Sequence, residues 1–230
     1  MGQRIDYSES FYRRHAQRYA EVSHNYIQSV YSNVSHPALK GDADVMERMQ
    51  ELVPVGSRGL DAGCGAGARD AFLYWQGGYD IYGVDAIEEN IEEARRLHPE
   101  IAHRVSVADL REPIDHPDAS FDFIICNAVI QHVEPDIVMD RTLPEFARVL
   151  RTEGVLQLIF KVGRGIATLY DRDYGADRSF HLYGADEVLE RLSDLGLHVI
   201  PAEGGKLGGV MYFADTKPAE HCLLYARKSV

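Results

Sequence analysis

The run Asp61-Ala62-Gly63-Cys64-Gly65-Ala66-Gly67 sets a carboxylate ahead of glycines at every second position. Such glycines let a backbone turn sharply and approach a ligand with no side chain between, while the N–H groups opening a following helix favour a negative group. Gly63, Gly65 and Ala68 also satisfy the looser G-x-G-x-x-A pattern of dinucleotide sites, so the glycines alone do not choose a ligand. Asp61, Asp85, Asp109 and Asn127 each close an apolar run, which would line all four along one edge of a parallel sheet. One β-α-β unit after the glycines, Asp85 is placed to accept both hydroxyls of a ribose. Asp109, one strand further, is placed to meet the exocyclic amine of a purine.

Other side chains could serve a second substrate. His132 comes after the fourth apolar run at the mouth of such a site, where an imidazole can take a proton from a hydroxyl or simply cap and pack. Lys161 and Arg164, in KVGRG, could bind a carboxylate or phosphate, or be solvated loop charges. Arg178, His181 and Tyr183, in RSFHLY, form a third group, with a structural hydrogen bond the favoured role of His181. Tyr12, Tyr19 and Tyr26 fall seven apart on one helical stripe. Such a stripe is ordinarily a packing face, yet Tyr19 or Tyr26 could also contact an acceptor lying beneath it.

The elements that hold these residues can be read from periodicity. Residues 1–52 are polar and helix-forming, and from Pro54 onward glycine-punctuated apolar runs alternate with amphipathic stretches. The expectation is a helical cap over 1–52 and a core over 53–230 forming one unit. Strands are expected at Arg58 to Ala62, Tyr79 to Asp85, Val105 to Asp109, Phe121 to Asn127 and the VLQLIFK run, with helices at Ala68 to Gln76, Glu88 to Leu97 and Ala185 to Leu195. Two last strands, near His198 to Ala202 and His221 to Arg227, have no helix between them and should pair antiparallel.

Composition bounds the partners. Lys and Arg total 24 against 36 Asp and Glu, a net charge of −12, which opposes a broad grip on a nucleic-acid backbone. Local basic patches (Arg13, Arg14 and Arg18; Lys161 and Arg164) still leave room for an anionic small substrate. Cys64, Cys126 and Cys222 lie far apart and read as reduced, buried thiols. With no signal-peptide-like start and no long apolar run, a cytoplasmic chain without membrane contact is the default expectation.

The loop DAGCGAG, the strand end YGVD, the pair Ala108-Asp109, the run FDFIICNAVIQHV and the turn RVLRTEG together resemble the class I S-adenosylmethionine-dependent methyltransferases, from about Gly59 to Ile159. The resemblance implies a Rossmann-like α/β fold: seven strands, mostly parallel with the last antiparallel, helices on both faces and an N-terminal helical cap. It implies S-adenosylmethionine as cofactor and S-adenosylhomocysteine as product. Gly63, Cys64 and Gly65 would lie along the amino-acid end, with Asp61 supporting the loop and Asn127 near the methionine ammonium. Asp85 and Ala86 would meet the ribose, Asp109 the adenine amine, and Ile87 and Leu110 the two faces of the adenine.

Asn127 is succeeded by Ala128-Val129-Ile130, which departs from the N-P-P-Y pattern of base-modifying and glutamine-modifying members. Asn127 and Lys161 stand where metal-dependent members carry acidic ligands, so no catalytic metal is expected. The implied activity is methyl transfer to oxygen or nitrogen of a small acceptor, largely by positioning. An NAD-dependent oxidoreductase and a non-catalytic cofactor-binding subunit are the alternatives.

Overall fold

The computed structural model describes residues 7–24, 30–215 and 219–229; Tyr26 lies outside them. Among the described residues the main sheet runs in the order β3-β2-β1-β4-β5-β10-β8, with β9 also paired to β10. β1 (Arg58–Ala62), β2 (Asp80–Asp85), β3 (Val105–Val107), β4 (Phe121–Asn127) and β5 (Leu150–Lys161) are parallel. β10 (Glu220–Lys228) runs antiparallel to β5, β8 (Leu197–Val199) and β9 (Met211–Ala214). The expected seven-strand path with its reversed member is therefore present, and β9 is an addition at its edge. Burial on both faces explains the composition of the central strands: Phe121, Phe123, Ile124, Ile125 and Cys126 of β4 are all buried.

Helices cover both faces. α2 (Asp42–Leu52) and α3 (Arg69–Gln76) pack Val45, Met49, Ala71 and Tyr74 into one apolar layer with Ile125, Ile159 and Tyr225. α5 (Pro135–Ile137), a π-helical turn (Val138–Thr142) and α6 (Leu143–Val149) run on as one helical segment, joined on the opposite layer by α7 (Ala185–Asp194). Pro144 sits at the start of α6 directly after the π-helical turn, where the helical hydrogen-bond ladder changes register and its missing N–H is accommodated. α4 (Glu88–Leu97) has Glu88 and Glu89 in its first turn and Arg95 and Arg96 in its last, each matched to the helix dipole.

The order of strands reverses between β1 and β4, so the loops after these two strands splay apart at their C-terminal ends and open a crevice. α1 (Tyr7–His24) lies across that crevice. Its buried stripe of Phe11, Tyr12, Ala16 and Ala20 recurs at near-helical spacing. β6 (Gly165–Asp171) and β7 (Ala176–Leu182) form a separate antiparallel hairpin inserted between β5 and α7, which the sequence reading did not anticipate. Among the described residues no helix is long and apolar enough to cross a membrane.

Candidate functional site

The glycine loop is bent back onto β2. The N–H groups of Gly63 and Cys64 both donate to the Val84 carbonyl, at 2.8 and 2.9 Å. Gly63 and Gly65 have φ of +96° and +66°, a region side-chain-bearing residues rarely adopt. A Cβ on Gly63 would fall inside the Val129 side chain, and one on Gly65 would lie 2.8 Å from the Tyr19 ring. Glycine is needed here for conformation and for close approach at once. Asp61, buried behind the loop, accepts from the Ala71 N–H at 3.1 Å, tying the end of β1 to the first turn of α3. Burial, and then the nearby Asp70 carboxylate, hold the Asp61 carboxyl well above the usual range.

Asp85 closes β2 and holds the turn beyond it. One carboxylate oxygen accepts from the Ile87 N–H (2.9 Å) and Asn90 Nδ2 (3.1 Å), the other from the Gly65 N–H (3.0 Å). Burial raises its pKa and these donors oppose the rise. Asp109 lies two residues beyond the end of β3, which stops at Val107, short of the expected strand end. Its carboxylate is engaged by Arg111 through Nε (2.9 and 2.8 Å) and NH2 (2.8 Å). Asn127, at the end of β4, donates from Nδ2 to Asp70 (2.9 Å) and accepts at Oδ1 from Gln157 (2.8 Å). Its side chain is thus committed to the floor of the crevice.

Two adjoining cavities arise from this frame. A cavity of about 100 Å³ is walled by Asp85, Ala86, Ile87, Ala108, Asp109 and Leu110. A larger one of about 190 Å³ is walled by Asp61, Cys64, Asn127, Gln157, Lys161 and Arg178, among others. Tyr12, Tyr19, Gly63 and Ala128 belong to both, so two phenols of α1 stand on the boundary. Burial pushes the Cys64 thiol up, leaving it a neutral wall residue.

The remaining candidates separate clearly. His132 ends a short 3-10 turn (Ile130–His132) and lines the smaller cavity, its Nε2 3.2 Å from the Tyr12 hydroxyl. Burial first, then the charges of Arg178, Lys161 and His181, hold its pKa well below the ordinary histidine value. The imidazole is therefore neutral at pH 7 and a weaker base than the near-neutral group expected from sequence. Lys161 is buried in the larger cavity, with Nζ 2.9 Å from His221 Nε2. Arg164 points to solvent and pairs with Glu187 at 3.2 Å, and half-buried His181 sits on β7 opposite Ile166; neither lines the two cavities. The arginines of α1 are largely answered by acids: Arg13 meets Glu9 and Glu89, and Arg18 meets Glu21.

Arg178 carries more than the sequence reading gave it. It forms a buried ion pair with Asp171 at 2.8 Å and donates to the Tyr12 hydroxyl. Its guanidinium lies 4.9 to 5.4 Å from the rings of Phe11, Tyr12, Tyr174 and Phe180. Because an arginine only donates, the Tyr12 oxygen accepts from Arg178, which leaves its O–H able to donate to His132 Nε2. His221, Gln131 and Gln157 are further cavity-wall residues the sequence reading passed over. A signal existed: Gln157 and Lys161 interrupt the apolar run VLQLIFK four residues apart, on one face of a buried strand.

A family model described as "Methyltransferase domain" matches residues 60–158. A ubiquinone biosynthesis O-methyltransferase of Rickettsia bellii is 35% identical over 77 residues, 33% of this chain and 31% of that protein. A 2-methyl-6-phytyl-1,4-hydroquinone methyltransferase of Synechocystis is 26% identical over 135 residues, 59% of this chain and 39% of that protein. The chain thus spans a third or so of the length of these curated relatives. The solved structure of a Burkholderia thailandensis 1,6-didemethyltoxoflavin-N1-methyltransferase superposes with a TM-score of 0.66 at 17% identity, covering 100% of this chain and 92% of that one, a likeness of fold. The glycine loop, the acidic strand ends and the sheet order agree with this match and give the chain the fold of the class I S-adenosylmethionine-dependent methyltransferases.

Proposed function

We propose that this chain transfers a methyl group from S-adenosylmethionine to oxygen or nitrogen of a small-molecule acceptor. The observation that carries the reading is the pair of cavities meeting at Gly63 and Ala128, one walled by the half-buried carboxylates of Asp85 and Asp109 and the other by the buried Lys161. Neither reaches the roughly 300 Å³ at which ligand pockets of drug size begin. A cofactor of this length must therefore span both, across the boundary that Tyr12 and Tyr19 occupy. Asp85 would hold the ribose hydroxyls, Ile87 and Leu110 would flank the adenine, and Asp109 would take the adenine amine in competition with Arg111. The amino-acid end would run along Gly63, Cys64 and Gly65 toward Asp61 and Asn127, over backbone that glycine keeps clear.

When bound, the cofactor would supply an electrophilic methyl on a sulfonium, open to in-line displacement by an acceptor lone pair with neutral thioether as the leaving group. The chain's contribution is orientation and exclusion of water, which can account for several kcal/mol of barrier. Tyr19 reaches both cavities and would touch cofactor and acceptor alike. Lys161 would bind the acceptor. The Nε2 of His132 is engaged by Tyr12, and its lowered pKa suits a positioning role better than general-base work. The net charge of −12 supports a small acceptor over nucleic acid.

Incubation with methyl-labelled S-adenosylmethionine and a small-molecule extract tests the reading. Label should move to a low-mass product, and the Asp85→Ala variant should transfer at least tenfold less at limiting cofactor, the effect of losing charge-assisted hydrogen bonds. Label that never leaves the cofactor across fractionated extracts, or equal transfer by the variant, would contradict it.

A further inference from the structure

Lys161 ends β5 directly opposite His221 of β10 in the antiparallel register, which puts both side chains on one face of the sheet. Each is 3% exposed, and the two nitrogens are 2.9 Å apart. His221 stacks on Phe213 (5.0 Å, 12°), and Phe213 stacks on Tyr31 (3.9 Å, 14°). On the other side Lys161 Nζ sits 4.8 Å over the Phe180 ring. Tyr31, His221, Lys161 and Phe180 all line the larger cavity. One wall of it therefore reads phenol, imidazole, ammonium, phenyl.

The proton inventory of the pair is restricted. As an ammonium, Lys161 donates to His221 Nε2, which then accepts and stays neutral. A second proton would bring two cations to 2.9 Å, so the pair carries no more than one positive charge. Asp215, which lines the same cavity, lies 4.0 Å from His221 Nε2.

We infer that Lys161, backed by His221, determines acceptor specificity, and that the acceptor is a planar conjugated ring bearing an ionised oxygen. The aromatic members of the wall suit the ring faces, and the ammonium suits the oxygen anion. This rests on the reading that the larger cavity receives the methyl acceptor beside the amino-acid end of the cofactor. A pre-ionised oxygen also removes the need for a general base, in keeping with a neutral His132 bound to Tyr12.

The test uses the full chain, with 4-nitrophenolate as the anionic probe and 4-nitroanisole as its neutral counterpart, titrated by calorimetry and visible absorbance. The unaltered protein should bind 4-nitrophenolate at least tenfold more tightly than 4-nitroanisole, and the bound probe should ionise at lower pH than in buffer. Lys161→Met should lose that preference by about tenfold and keep its affinity for S-adenosylhomocysteine. Equal affinity for the two probes in the unaltered protein, or an unshifted probe titration, overturns the inference even if the variant fails to fold. A folded Lys161→Met that retains the preference also overturns it. Failure to bind S-adenosylhomocysteine would instead overturn the methyl-transfer reading, leaving the probe comparison to judge the subsite by itself.

Discussion

His132 is the residue whose environment most changes its chemistry. Desolvation of its half-buried imidazole, then the charges of Arg178 and Lys161, disfavour the charged form, and its Nε2 meets a phenol that already accepts from Arg178. A general base is worth about 10²- to 10⁴-fold in rate. His132→Gln should cost less than about tenfold in turnover, and a hundredfold loss with unchanged KM would restore the base role. The sign of its pH effect comes from linkage. A histidine whose folded pKa lies below its unfolded value of about 6.5 takes its proton first in the unfolded chain, so stability is lost as pH falls through that value toward the folded pKa. Urea midpoints at pH 5.5 and 7.5 should differ less in His132→Gln than in the unaltered protein; an equal difference would show that His132 does not titrate as described. Gly65 offers a second test at this scale. Gly65→Ala places a methyl 2.8 Å from the Tyr19 ring at a φ of +66°, so it should destabilise by about 1–3 kcal/mol and weaken S-adenosylhomocysteine, both measurable in one thermal-shift series.

At the scale of elements, the inserted hairpin and α1 act as one cover, fastened by Arg178. The guanidinium pairs with Asp171 inside the hairpin and reaches Tyr12 on α1, and both charges are buried. Removing one partner of such a pair costs about 3–5 kcal/mol because the other is left uncompensated. Arg178→Ala should therefore unfold at distinctly lower urea, and the double change Arg178→Met with Asp171→Leu should recover much of the loss. Identical midpoints for the single and double variants would deny the pairing its weight. This cover was the least legible part of the sequence. Gly165 to Asp171 alternates exposed and half-buried positions without the apolar run of a core strand, so it reads as loop. Arg178 meets Asp171 only because Asp171 lies opposite Ala176, two residues away on the same face of the hairpin. The β1, β4 and β5 runs and α2, α3 and α4 were legible because their apolar periods match the layers they fill. His221 became part of the site only through the β5–β10 register, which no local pattern encodes.

For the whole molecule, the strand reversal between β1 and β4 opens the crevice and α1 closes it. Tyr12 and Tyr19 wall both cavities, so removing the first thirty residues should weaken cofactor and acceptor binding together. Cofactor affinity surviving that truncation intact would confine α1 to the acceptor side. The function turns on which cofactor the crevice takes, since Gly63, Gly65 and Ala68 alone would also suit a dinucleotide. Calorimetric titration of the full chain decides this most directly. Saturable heat with S-adenosylhomocysteine, absent with NAD and reduced at least tenfold in affinity by Asp85→Ala, is the predicted outcome. Heat with NAD and none with S-adenosylhomocysteine would contradict it.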